Sequence, residues 1–136
     1  MSERALKAVL VVVAAYHVVT GALALVAPDR FFDLIGHYGI ENSHYVGDVG
    51  AFMLGLGVAV GIAIVRPGWR APVLWLGALW CGFHAINHAF DTGEARSEGR
   101  GWSDTVLIAL GALLSAWLAR VSEQLNRASD SVGGVR

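Results

Sequence analysis

Four long apolar blocks, separated by short polar stretches, dominate the pattern along the chain. The first runs from about Leu6 to Ala27 and stops at Pro28-Asp29-Arg30. The second runs from about Tyr45 to Val65 and stops at Arg66-Pro67-Gly68. The third begins near Pro72, a residue suited to a first helical turn, and reaches about Phe90; the fourth covers about Ser103 to Leu118. A membrane-crossing helix needs roughly 20 mainly apolar residues. The pattern therefore predicts an all-α, transmembrane four-helix bundle occupying residues 1–121, with 122–136 as a flexible cytoplasmic tail containing the pair Gly133-Gly134. Between the first two blocks, Phe31, Phe32, Leu34 and Ile35 predict a short helix lying on the membrane surface.

Composition agrees with this pattern. The 136 residues are 55% hydrophobic and 15% charged, against about 25% charged in an average soluble domain. A formal net charge of −1 offers no basic surface for nucleic acid. The single cysteine, Cys81, lies within the third block and reads as a packing residue. Trp69, Trp75, Trp102 and Trp117 fall near block ends, where an indole ring favours the membrane interface. The first block follows Arg4 and Lys7 as a signal peptide would, but its length and its Tyr16 and His17 argue for a retained helix.

Counting basic residues gives a direction. With the N-terminus inside, Arg4, Lys7, Arg66, Arg70, Arg120, Arg127 and Arg136 are cytoplasmic, and only Arg30, Arg96 and Arg100 lie outside. The excess predicts both termini in the cytoplasm. Helix association in lipid rests on close packing and polar contacts. Gly47, Gly50, Gly55, Gly57 and Gly61 make the second block suited to it, and Gly57 with Gly61 reads as ordinary packing rather than a dimer motif.

Ionisable residues at membrane depth are costly, so they are the first candidates for function. Gly77, Cys81, His84, His88 and Asp91 recur at steps of four and three, on one face of the third helix. His44 and Asp48 share a face of the second, and His17 and Thr20 share one of the first. At 1.5 Å per residue, Asp48 is expected near the level of His88, and His44 near Asp91. His17 and His84 are expected deeper, with Asn87 and Asp104 bordering the column.

Four readings stay open. Two histidines at i and i+4 can bind one metal, so His44, Asp48, His84 and His88 are candidate ligands for a transition metal such as zinc, copper or iron. Asp91, His17 and Asn87 are then alternative ligands or supporting groups. The same residues also fit interhelical hydrogen bonds that only hold the helices together. They fit a proton relay or small-ligand site, or a b-type haem held by His17 and His84. His37, beside Gly36 and Gly39, reads as a solvated loop histidine. No phosphate-binding glycine loop, Gly-x-Ser-x-Gly elbow or Cys-x-x-Cys pair is present. Whether the protein is an enzyme stays open.

Three phrases carry a resemblance. These are Ala27-Pro28-Asp29-Arg30-Phe31-Phe32, His44-Tyr45-Val46-Gly47-Asp48-Val49-Gly50 and Phe83-His84-Ala85-Ile86-Asn87-His88-Ala89-Phe90-Asp91. With four short spans, the chain resembles the DoxX-like four-helix membrane proteins of bacteria. The resemblance implies a multi-pass protein of the bacterial inner membrane. Some relatives are associated with quinone-linked oxidation of sulfur compounds, which implies redox work, either in a small oxidoreductase or in an accessory subunit with a membrane redox partner. No motif here carries that activity. The remaining expected partners are the lipid bilayer and a second copy of the chain.

Overall fold

The computed structural model describes residues 1–133. They form five α-helices and one 3-10 turn: α1 (Glu3–Val26), α2 (Pro28–Leu34), α3 (Ser43–Val65), α4 (Pro67–Phe90), the turn Thr92–Glu94, and α5 (Glu98–Gly133). Three of the helices, α1, α3 and α5, are long and apolar enough to cross a membrane. The fourth long helix, α4, carries Arg70, His84, Asn87 and His88 and does not reach that apolarity.

Local chemistry sets the helix starts. The Ser2 hydroxyl accepts from the Ala5 N–H at 3.2 Å, so α1 begins three residues before its apolar block. The Asn42 side chain accepts from the N–H groups of His44 and Tyr45 at 3.1 and 3.3 Å and starts α3. Pro28 and Pro67 each take the first turn of a helix, where a missing N–H costs nothing. This corrects the expected role of Pro72, which lies inside α4 rather than at its start. The polar link expected between the second and third blocks shrinks to Arg66. The segment from Ser122 to Gly133, expected to be loosely ordered, continues α5 as helix; the last three residues of that expected tail lie outside the described residues.

Packing divides the molecule into two helix pairs. α1 lies along α3, α4 lies along α5, and a smaller α3–α4 interface joins the pairs. Among the described residues, α1 and α5 share no comparable interface. The α1–α3 contact is a close backbone approach. A Cβ on Gly21 would stand 2.5 Å from the Leu54 nitrogen and 2.8 Å from the Gly50 oxygen, and one on Gly57 would stand 2.8 Å from the Val18 nitrogen. Gly50 meets Ala24 and the Gly21 carbonyl in the same way. Gly61 meets nothing within 4 Å. Gly61→Ala should therefore leave the unfolding midpoint in detergent unchanged or slightly raised, because alanine is the better helix former by about 0.8–1.0 kcal/mol. A clear drop in that midpoint would mean that Gly61 faces a second chain.

The larger core cluster sits at one end, and a smaller one of Ala24, Phe31 and Met53 lies toward the other. Leu6 and Leu10 of α1, Leu56 and Val60 of α3, Val73 and Leu74 of α4, and Leu118 and Ala119 of α5 form a single buried cluster. At this closed end Arg70 is 1% exposed. Its guanidinium donates to both Glu3 carboxylate oxygens at 2.9 and 2.8 Å and to the carbonyls of Ala63 and Ile64 at 3.0 and 3.2 Å. One side chain thus ties the start of α1 to the α3–α4 junction. At the opposite, open end the two connections meet. Tyr38 bridges to Ala95, and the Gly39 N–H donates to the Glu94 carbonyl at 3.0 Å, with Gly39 at a φ of 60°.

Candidate functional site

Toward the open end the helix pairs leave a cavity of about 920 Å³. That lies within the range of about 300–1,000 Å³ typical of small-molecule sites. All four long helices and the α2 region contribute to its wall. Its interior is mostly apolar, formed by Val12, Val13, Met53, Leu107, Ile108 and Leu114 among others, and its polar groups include His17, His84, Asn87, His88, Asp91, Arg100 and Asp104.

The wall from α4 is an aromatic stack. The Trp80 and His84 rings lie parallel at 5.2 Å, with 9° between their planes. His84 meets His88 edge to face at 4.5 Å, and His88 meets Tyr38 edge to face at 4.3 Å. Helical geometry explains the series, since residues 80, 84 and 88 are four apart and share one face. Tyr38 closes the column from the connection above. Its hydroxyl donates weakly to the Gly101 carbonyl at 3.4 Å. Burial, and then the nearby Asp104 carboxylate, raise its pKa above that of an ordinary phenol, so it stays a donor at neutral pH.

The histidines differ in their bonding. The His88 Nδ1 is buried and has no protein partner. The His17 Nδ1 pairs with the Val13 carbonyl at 2.8 Å. A carbonyl only accepts, so Nδ1 holds the proton and Nε2 is left as an acceptor; the His17 and Trp80 ring centroids are 6.5 Å apart. At the mouth, the Asn87 amide donates to Asp91 at 3.0 Å, and the Arg100 Nε donates to both Asp104 oxygens at 3.2 Å.

The residues singled out from sequence therefore separate into two places. His17, His84, Asn87, His88 and Asp91 line one cavity, as does Asp104. His44 and Asp48 do not. They face each other at 3.7 Å on the outside of α3, with side chains 80% and 66% exposed, while Tyr45, Val46 and Val49 turn toward the cavity. Among the described residues, no group of three or more His, Cys, Asp or Glu is placed to hold one metal ion. Asp91 supports Asn87 rather than His88. His37, expected to be solvated, is 8% exposed with an unpartnered Nδ1. The connection folds back so that Tyr38 reaches Ala95, and this buries the neighbouring ring.

Among the lining residues not singled out from the sequence are Trp80, Tyr38 and Arg100. Trp80 was detectable, one helical turn before His84 on the same face. Tyr38 arrives from the connection between α2 and α3 and Arg100 from the first turn of α5, outside the apolar blocks, and no periodicity marks them.

No family model, curated protein or solved structure matches this chain. The cavity and its lining residues are therefore the basis for assigning a function.

Proposed function

We propose that this is a four-span integral membrane protein that binds a small molecule in the cavity between its two helix pairs. The observation that carries the reading is that cavity, apolar in its body and polar at one end, beside an aromatic stack ending at the unpartnered His88 Nδ1. A buried polar atom without a partner is uncommon and invites a bound group. For α4 as the fourth span, support comes from its outward stripe of Leu76, Leu79, Phe83, Ile86 and Phe90. All five are at least half exposed and are spaced by three and four residues. A continuous apolar face of this kind suits lipid. The basic residues near the closed end support both termini in the cytoplasm, with the cavity opening outward. The DoxX-like resemblance belongs to this proposal only through its sequence phrases, and neither a redox activity nor a redox partner gains support from the cavity.

Gly111 offers a direct test. It lines the cavity, and a Cβ there would meet only the Cys81 sulfur at 3.9 Å. Gly111→Leu should fill the space while leaving the fold intact. Mass spectrometry of organic extracts from wild-type protein should find a small molecule at near-equimolar amount. The same extract of Gly111→Leu should hold at least tenfold less. Equal amounts, or none in the wild type at any stage of purification, would sink the binding reading.

A transition metal is the second reading, favoured by the adjacent His84 and His88 rings and the free Nε2 of His17. His44 and Asp48 lie on the outer face of α3 and would not take part, so Asp91 or Asp104 would have to complete the set. Haem held by His17 and His84 would use the same walls. Metal content and a Soret band in protein supplied with each group distinguish these readings.

A further inference from the structure

The charges of the molecule are sorted by end. The segments 28–48 and 91–104, which make up the open end, carry eight Asp or Glu and three Arg. Arg4, Lys7, Arg66 and Arg70 stand at the closed end, where α1 and α4 begin. A cavity whose mouth is acidic and whose walls are of low dielectric focuses potential and concentrates cations. Within the cavity lining, the fixed charges are Asp91, Asp104 and Arg100. Asp104 holds Arg100 through two contacts of 3.2 Å, which neutralises its charge. Asp91 has only the Asn87 amide, so it remains a net negative charge at the mouth.

Aromatic side chains also contribute to the cavity walls. Trp80, Tyr38, Tyr16, Tyr45 and Phe31 come from different elements and enclose the same space. Ring faces attract cations, and more strongly where water is excluded. A small inorganic ion would keep its hydration and gain little from such walls. An anionic amphiphile would meet Asp91 and Asp104 without a free cationic partner. We propose, building on the cavity reading, that the site takes a lipophilic organic cation, with its charge near Asp91 and Asp104 and its apolar groups among the aromatic side chains. Val12 of α1 and Leu114 of α5 line the cavity where those two helices share no comparable interface, and a membrane-dissolved molecule would enter between them.

Tetraphenylphosphonium and tetraphenylborate share one shape and carry opposite charge, and so they isolate the electrostatic claim. The full-length protein in neutral detergent should bind tetraphenylphosphonium saturably by calorimetry, after subtraction of protein-free micelles. Tetraphenylborate should bind at least tenfold more weakly. Asp91→Asn should weaken tetraphenylphosphonium several-fold. Trp80→Phe should remove most of the associated fluorescence change, since Trp80 is the tryptophan that lines the cavity. Borate binding as tight as phosphonium, or an Asp91→Asn variant that binds as the wild type does, overturns the proposal. If neither ion binds while Gly111→Leu still loses its co-purified molecule, the cation claim fails and the cavity reading stands. If Gly111→Leu binds phosphonium unchanged, the ion sits on the acidic surface and the cation claim is wrong.

Discussion

Gly21→Ala is expected to destabilise the protein by about 3 kcal/mol, the upper part of the range for overpacking a close-packed contact. The added methyl would meet the Leu54 nitrogen at 2.5 Å and the Gly50 carbonyl oxygen at 2.8 Å. Both are backbone atoms of a helix and cannot rotate aside. The strain must be relieved by moving α1 away from α3, which breaks the contacts at Gly50 and Gly57 together. Gly50→Ala should behave alike, and the double variant should cost less than the two single losses combined, because the first separation already makes room for the second methyl. Unfolding followed by tryptophan fluorescence or thiol accessibility of Cys81 in detergent would measure this. A Gly21→Ala variant as stable as wild type would mean that α1 and α3 are not packed backbone to backbone.

Arg70→Met should cost about 3 kcal/mol through a different mechanism. The guanidinium is buried and is fully used, with two bonds to Glu3 and one each to the carbonyls of Ala63 and Ile64. Those carbonyls belong to the last turn of α3, where no intrahelical donor follows. Removing Arg70 leaves them without a partner, at about 1–3 kcal/mol for each one that water cannot reach. Glu3 is half exposed and regains hydration, so the loss of the ion pair itself adds little. The reverse deletion is less forgiving. Glu3→Ala strands a buried positive charge, and breaking a buried pair in this way costs about 3–5 kcal/mol in general, here reduced by the exposure of the carboxylate. The double variant should recover part of that loss. Additive losses in the Glu3→Ala and Arg70→Met pair would show that the two side chains do not interact.

Much of the architecture follows from local rules. Apolar runs bounded by Pro28, by Arg66 and Pro67, and by the polar stretch after Phe90 predict four long helices, and four long helices form. Their ends extend past the apolar runs because caps act through single hydrogen bonds. Ser2 and Asn42 are polar residues whose effect on helix length does not register in a hydropathy average. Pro72 stands for the opposite error. Two prolines were eligible to begin α4, and Pro67 took the position because Arg66 alone sufficed to turn the chain.

The candidate site was legible only along one helix. His84, His88 and Asp91 were found by spacing, and Trp80 was available by the same argument. The partner helix was misjudged. His44 and Asp48 share a face, but a four-residue period says nothing about which way that face points. Its direction follows from Gly50 and Gly57, which must lie against α1 and so turn His44 and Asp48 outward.

By itself, the sequence determined the helices, the separation of basic and acidic ends, and the histidine ladder on α4, because each depends on neighbours within a few residues. Only the tertiary structure decided that the second and third of the long helices would not bring their polar groups to one point. It also decided that α1 and α5 would part to leave a cavity, and that Tyr38 would close over His88. Those outcomes depend on how near two backbones can approach, and that is set by glycines on one helix meeting the backbone of another.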